Sequence, residues 1–533
     1  MILAGAGLLA RNPGDDAPLK IGKNFRIYPG KVNQTEVFLV HSPLNKNLLF
    51  AACNTISFVP FFISEGIYTS NDGGRNWRGD DTCTGDPMAY HGGDPGITID
   101  KNGTFILTRK GTLFVGLYSH YSLDQGHTWS AQKVISTDDL ERASLATDAN
   151  PASAYYGRSY AAWVKFATPF PVMFAMTNDG AQTWSAQKQL NNPASRSAGG
   201  DLAIGPNGEV YACWAGVTDN SPFKEIMVGF GSSVNGGTAW RITENAFAVN
   251  GITGVLANKN NIRVNGLPSI AVDTTQGPRR GWIYIVSGQK DLAPAGSDPD
   301  IILHRSTDGG LTWSQGIRVN QDPLNNGKTQ YFPNIHIDRF GAVDIIFYDD
   351  RTTTNDSTGV FLARSQDGGN TWHEYEISDH HFEPVPIGGL GQGYQGDVID
   401  LTSNDSTITT VWMDNSSGIY QIWTAPVSFT SVNGIAGHGD PSPTLSQNYP
   451  NPFTTETTIG FTTTETGIVS LKIIDVLGNV IAEPVHEKKT PGYYEIAVDP
   501  ASMPGQFMLC SGIYFYRLTL NDRVETKRMI YRK

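Results

Sequence analysis

The sequence predicts an all-β protein: a ring of four-stranded sheets, a β-propeller, followed by a small β-sandwich. Three observations predict it. An eight-residue pattern, Ser-x-Asp-x-Gly-x-Thr-Trp, returns at regular steps as far as residue 372. Short alternating apolar runs joined by Gly- and Pro-bearing turns surround each copy. Beyond residue 443 the pattern stops and a different set of short strands begins.

The pattern is clearest in Ser306-Thr-Asp-Gly-Gly-Leu-Thr-Trp313, Ser365–Trp372 and Ser122–Trp129. Ser70–Trp77 changes one residue and Thr177–Trp184 two (Thr177 for Ser, Ala181 for Gly), and Ser233–Trp240 is a worn copy with Asn235 for Asp and Ala239 for Thr. The tryptophans stand at 77, 129, 184, 240, 313 and 372, in steps of 52, 55, 56, 73 and 59 residues. An Asp followed by glycines makes a tight turn, because the carboxylate accepts backbone N–H groups and Gly takes positive φ without strain. The Trp supplies an apolar plate for a neighbouring unit. Asp72, Asp124, Asp179, Asn235, Asp308 and Asp367, with Trp77, Trp129, Trp184, Trp240, Trp313 and Trp372, are therefore expected to be structural.

Each unit reads as four strands with period-two alternation, and the repeated turn lies between the third and fourth. Units fall near 34–80, 94–137, 142–190, 199–248, 265–320 and 330–378. A seventh, over 393–427, has three strands and no copy of the turn. The N-terminal run Lys23-Asn-Phe-Arg-Ile-Tyr28 has no partner, and placing it as the missing outer strand closes the ring and removes exposed edges. Seven blades follow, with six as the alternative.

Net charge is −12, and it sits before residue 441, since the remainder balances nine Lys/Arg against nine Asp/Glu. An acidic body argues against nucleic acid and anionic membranes, and no apolar run is long enough to span a bilayer. Cys53 and Cys83 share the first unit and would pair in an exported chain, while Cys213 and Cys510 read as small core residues. Residues 1–20 read as a signal-peptide remnant or disordered N-terminus, 21–429 as the propeller, 430–443 as a polar Pro/Gly-bearing linker and 444–533 as the sandwich. No cofactor is expected. The loops Thr354-Asn-Asp-Ser357 and Ser297-Asp-Pro-Asp300 carry the oxygen ligands Ca²⁺ prefers, without an ordered ligand pattern.

In this architecture ligands sit where inner strands begin and second strands end. The register places Glu36, Asp94, Arg142, Asp201, Tyr331, Tyr394 and Asp397 around one mouth of the central channel, with Asp349-Asp350-Arg351 at a second-strand end. That mouth is expected to be mostly acidic. Two carboxyl groups at a suitable separation suffice for glycoside hydrolysis, although any one Asp at a strand end more often bonds backbone N–H groups. Tyr348-Asp-Asp-Arg351 and Trp412-Met-Asp-Asn415 read as a repeated structural signature.

The six copies resemble the Asp-box (BNR-repeat) propellers of the sialidase type, over residues 20–430. The resemblance implies two readings of the same mouth. As a binding module it would hold an extracellular ligand, a glycan above all. As a sialidase-like exo-glycoside hydrolase it would need three arginines on the substrate carboxylate, a Tyr nucleophile with a Glu partner, and an Asp acid/base. Tyr394, Glu36, Asp94, Asp350, Arg142 and Arg351 are the residues available for those roles. Arg26, in Phe25-Arg-Ile-Tyr-Pro29, departs from the family's first-arginine motif by an inserted Tyr. A surface scaffold without a small ligand is the third reading.

The C-terminal segment, with Asn448-Tyr-Pro-Asn-Pro-Phe453, Asp475-Val-Leu-Gly478 and Ser511-Gly-Ile-Tyr-Phe-Tyr-Arg-Leu518, is similar to the type A sorting domain of type IX secretion substrates. It implies an immunoglobulin-like sandwich, the type IX machinery as partner, and a product secreted or attached to the outer-membrane surface.

Overall fold

The computed structural model of the chain describes residues 19–59, 61–82, 92–111, 115–221, 223–354, 356–429, 444–445, 448, 451–463, 466–490, 492–500, 510–520 and 523–532. The chain divides into two compact units, residues 1–432 and 433–533.

The described part of the first unit holds seven antiparallel sheets of four or five strands and one two-stranded hairpin. Sheets 1 to 6 span 33–80, 96–136, 144–189, 196–248, 269–318 and 330–376, within a few residues of the units read from the repeat. Sheet 7 takes Asp400–Ser403, Thr407–Asp414 and Gln421–Phe429, and is completed by two N-terminal strands, Leu19–Ile21 and Phe25–Arg26, which both pair with Gln421–Phe429. The first strand of each sheet packs against that of the next, and that of sheet 7 packs against Asn33–His41 of sheet 1. The ring is closed.

Alternation describes the innermost strands better than the second ones. Ser159–Val164, Ile283–Gln289 and Val343–Asp349 are buried at every position. Each is sandwiched between two neighbouring sheets, so both faces meet protein and a continuous run replaces the expected alternation. Outer strands such as Lys188–Gln189 stay exposed.

The repeated turns sit where the spacing placed them, and they close locally. Asp308 accepts the Ser306 hydroxyl (2.8 Å), the N–H of Leu311 (3.0 Å) and of Thr312 (2.9 Å), and the Thr312 hydroxyl (2.6 Å). Asp124, Asp179 and Asp367 repeat the hydroxyl and backbone bonds at the same positions. The tryptophans then reach back to the preceding sheet: Trp240 packs edge-on to Phe174 and Trp313 to Phe230, while Trp184 donates to the Ser119 hydroxyl. Each turn thus fixes one hairpin and one junction.

A second belt of bonds runs round the channel. Ser144 of sheet 3 and Ser269 of sheet 5 both donate to Asp201 of sheet 4. Ser269 also reaches Asn334 of sheet 6, which donates to Asp400 of sheet 7 (3.1 Å), and Asp400 accepts Leu39 N–H of sheet 1 (2.7 Å). Polar strand residues here tie sheet to sheet.

In the second unit, Thr444–Leu445, Thr457–Thr463 and Gly492–Val498 form one sheet; Gly467–Ile474, Val480–Lys489, Gly512–Leu520 and Arg523–Tyr531 form the other. They share a core that includes Phe453, Phe461, Leu471, Val485 and Leu518. Cys213 is buried as expected, but Cys510 is exposed: it precedes the strand Gly512–Leu520, and its backbone bonds the Tyr514 hydroxyl. Cys53 is a buried thiol 3.5 Å from the Tyr68 hydroxyl; its expected partner Cys83 lies outside the described residues.

Candidate functional site

The central channel has a volume of about 410 Å³ and is lined by the first strands of the sheets. At the end where those strands begin, the backbone departs from regular pairing. Sheets 1, 4 and 6 carry bulges, between Thr35 and Phe38, Ala198 and Asp201, and Tyr331 and Asn334. The residue inside each bulge has positive φ: Glu36 at 56°, Gly199 at 63° and Phe332 at 52°. Asp94, ahead of the first strand of sheet 2, is also at 56°. For Glu and Asp this conformation is strained, and such strain collects where a side chain must be aimed.

What the bulge aims is a cluster. Asn54, buried on the second strand of sheet 1, donates to Glu36 (3.2 Å), Asp94 (3.4 Å) and the Tyr394 hydroxyl (3.3 Å), and its carbonyl accepts Asp94 N–H (2.6 Å). The Tyr394 hydroxyl also lies 3.1 Å from the Thr35 hydroxyl and donates toward Glu36. Burial, helped by the carboxylates of Asp397 and Asp94, pushes the Glu36 carboxyl up to about 8, against the pull of Arg142 and the Tyr394 hydrogen bond. At neutral pH Glu36 is a protonated acid. Burial and then the Glu36 charge push the Tyr394 phenol well above its usual range.

The acid-rich mouth is offset by cations. Lys110 is 3.7 Å from Asp94, and Arg142 and Arg263 approach Asp397 at 3.8 and 3.5 Å. The acids expected at the mouth are thus paired with cations, and one of these, Arg263, comes from an element the repeat does not contain. It lies on the hairpin Gly254–Leu256/Ile262–Val264, inserted between sheets 4 and 5. Arg263 N–H bonds Gly393 O (2.7 Å), its guanidinium lies 5.3 Å from the Tyr394 ring centre, and Ile262 and Val264 join the core shared with Tyr331 and Phe332. Behind it, buried Lys259 pairs with Asp350 at 2.6 Å. The 73-residue step between Trp240 and Trp313 marks this insertion in the sequence.

The structure thus brings Glu36, Asp94, Arg142, Tyr394 and Asp397 to one place and leaves four expected residues, Asp201, Tyr331, Asp350 and Arg351, out of it. Asp350 is not at the mouth: its carboxylate is taken by Lys259 and the N–H of Thr329. Arg351 turns outward to a two-pronged pair with Glu374 (both 2.7 Å) and to Asp349, as a strand-end ion pair across sheet 6. Tyr331 is fully buried, because its ring stacks on Tyr348 and packs edge-on to Phe332 within the shared core. Asp201 lines the channel deeper in, held by the serine belt. Arg26 lies on the outer strand of sheet 7 opposite Trp423. Asn54, Lys110 and Arg263 were missed: Asn54 sits mid-strand, and the other two carry no pattern.

Asp300, in one of the loops rich in oxygen ligands, is bonded to Arg318 and Asn320; Asn355, in the other, lies outside the described residues. Among the described residues no three His, Cys, Asp or Glu side chains gather in a way that could hold a metal ion.

Comparison with known proteins adds one assignment. Residues 447–532 match the secretion system C-terminal sorting domain, so the second unit is a type IX sorting domain. The protein is secreted or attached to the outer-membrane surface, with the secretion machinery as a partner. No described helix is long and apolar enough to cross a membrane. No curated protein matches the chain. Among solved structures, it is similar to a protein of unknown function from Dyadobacter fermentans at 13% identity, covering 79% of this chain and 100% of that one with a TM-score of 0.44. A polysaccharide lyase of family PL25, an ulvan lyase, aligns at 10% identity over 74% of this chain and 94% of its own, TM-score 0.48. A leech intramolecular trans-sialidase aligns at 11% over 64% and 68%, TM-score 0.40.

Proposed function

We propose that the protein is an extracellular glycan-binding propeller whose ligand sits in the mouth formed by Glu36, Asn54, Asp94, Arg142 and Tyr394. We read the ring as seven-bladed and of the Asp-box type, and the sorting unit as immunoglobulin-like. The observation that carries the functional reading is the convergence on Asn54: two carboxyl groups and a phenol held by one buried amide, on backbone strained at Glu36 and Asp94. Fixed donors and acceptors at the end of a channel suit the hydroxyl groups of a sugar. Export places them where glycans are.

A second reading is hydrolysis, and one observation favours it: a Glu36 carboxyl still protonated near neutral pH beside Asp94 is the acid partner that two-carboxylate chemistry requires. The sialidase version loses support. Arg26 and Arg351 do not join Arg142, and a protonated Glu36 cannot take the Tyr394 proton. The intact chain, screened against a broad glycan panel, is expected to bind members of it, with Tyr394→Phe weakening that binding by about tenfold or more at unchanged melting temperature, and Asn54→Leu weakening it at a melting temperature lowered by the loss of its buried hydrogen bonds. Equal retention by those variants places the ligand elsewhere. Turnover of aryl glycosides that disappears in Glu36→Gln moves the assignment to hydrolase.

A further inference from the structure

We propose that a line of alternating cations and aromatic rings, leading outward from the mouth over sheets 2, 3 and 4, is a binding track for a glycan chain bearing carboxylate or sulfate groups. The proposal rests on the mouth being a glycan site and deepens it by naming the charge of the ligand.

The line starts at Asp94. Lys110, the last residue of the second strand of sheet 2, stands 3.7 Å from Asp94 and 5.6 Å from the centre of the Phe166 ring. Phe166 and Phe170 belong to the hairpin that follows the second strand of sheet 3, with ring centres 6.5 Å apart. Arg196, the first residue of sheet 4, places its guanidinium 3.7 Å from the Phe170 ring centre and 4.2 Å from that of Phe223. All these positions lie where first strands begin or second strands end, on the face of the mouth.

Arg196 sets this line apart from an ordinary surface. Arg142, Arg263, Arg318, Arg351 and Arg364 all have a carboxylate within 4 Å. Among the described residues Arg196 has neither an ion pair nor a hydrogen bond, although it is clamped between two rings. Two ring centres within 4.2 Å of its carbon hold the half-buried guanidinium, and its in-plane N–H fork bonds no described residue. That in-plane fork matches a carboxylate or sulfate, and stacking has already fixed its orientation. The backbone also supports the arrangement: Phe170 sits at φ 60°, strained for an aromatic residue, and its carbonyl accepts Ser197 N–H (3.2 Å), which ties the ring to the strand of Arg196. Phe166 and Phe223 remain 44% and 45% exposed, leaving flat apolar faces for the C–H faces of sugar rings between the two cations. A nucleic acid would also use rings and cations, and the net charge of −12 opposes any polyanion; export through the sorting domain favours a glycan, and the oligonucleotide gel tests the alternative.

The test is affinity electrophoresis of the full chain through gels containing polygalacturonate, a sulfated galactan, neutral dextran or a single-stranded oligonucleotide. The chain is expected to be retarded by at least one of the two anionic glycans, which separates carboxylate from sulfate recognition, and about tenfold less by dextran. Arg196→Gln combined with Lys110→Gln is expected to remove that retardation at unchanged melting temperature. Arg196→Lys recovers only part of it, since a charge without the planar fork remains. Phe223→Ala, at an exposed position, weakens binding while leaving both cations. Equal retardation by charged and neutral polymers, indifference to the Arg196 variants, or retardation by the oligonucleotide overturns the proposal. Loss in Tyr394→Phe but not in the Arg196 variants sinks the track and keeps the mouth; the reverse sinks the mouth reading.

Discussion

The carboxylates of the repeated turns and those of the mouth are the same chemical group put to opposite uses. In the turns, Asp124, Asp179, Asp308 and Asp367 accept the same set of local hydroxyl and N–H donors, and each holds its proton affinity below the usual carboxylate range. At the mouth the sheets offer a mixture instead of one repeated residue: Glu36, Asp94, Arg142, Gly199 and Phe332 occupy comparable strand starts. There the carboxyl groups share partners from distant parts of the chain, and Glu36 moves upward. Repetition marks what the ring needs to close. Divergence at the equivalent position marks what the ring was closed around.

The largest expected effect breaks the element that makes the mouth asymmetric. Lys259 and Asp350 are both buried, and together they anchor the hairpin that carries Arg263. Lys259→Met leaves the Asp350 carboxylate without its cation, at a cost of about 3–5 kcal/mol. Amide exchange is expected to rise over 254–264 and stay unchanged at the repeated turns. Lys259→Met with Asp350→Leu is expected to restore most of the stability, since two apolar side chains replace the pair. Protection of 254–264 that survives Lys259→Met shows the hairpin is held by its apolar contacts alone.

A smaller effect uses pH to separate the two kinds of carboxyl. Glu36 binds its proton more tightly in the folded state, so its contribution is complete below the unfolded value near 4.3 and is lost as pH rises through about 8. Asp400, raised to about 7 by burial and by the charge of Asp201, acts in the same direction. The turn aspartates have the opposite sign, contributing stability above their unfolded value and losing it only in acid. Four buried histidines, His41, His120, His304 and His336, act the other way in both proteins, so the expected signal is the difference: between pH 5 and 8 the melting temperature of the native chain falls relative to that of Glu36→Gln. Parallel profiles for the two proteins remove Glu36 as the titrating group.

How much of this was legible follows from the range of the forces involved. Turn chemistry is local, so Ser306 to Trp313 could be read residue by residue, and the spacing of its copies counted six of the seven sheets. The placement of Lys23–Tyr28 beside the last sheet followed from an arithmetic gap, a strand missing at one end and spare at the other. The mouth was legible only where strand starts could be counted, which yielded Glu36, Asp94, Arg142, Tyr394 and Asp397. Asp350 and Arg351 sit at an equally good strand end, yet Lys259 and Glu374, 91 and 23 residues away, claim them. Bulges were invisible because the extra residue shifts the alternation at a point that the repeated turn does not mark, and such shifts adjoin Tyr331 and contain Glu36.

The smallest effect concerns the one copy of the turn without an aspartate. In sheet 4, Asn235 still accepts the Ser233 hydroxyl (2.9 Å) and Ala239 N–H (2.7 Å). Ala239 cannot supply the hydroxyl that Thr128, Thr183, Thr312 and Thr371 each donate to their aspartates at 2.6 or 2.7 Å. Asn235→Asp with Ala239→Thr restores that bond and a charged acceptor for it. Because the site is exposed, the gain is about 0.5–1 kcal/mol, a rise of a degree or two in melting temperature with no change in ligand binding. The gain should require both substitutions together, since the hydroxyl and its carboxylate act as a pair. An unchanged melting temperature in the double variant would mean that Trp240 packing edge-on to Phe174, and not the carboxylate, holds this junction.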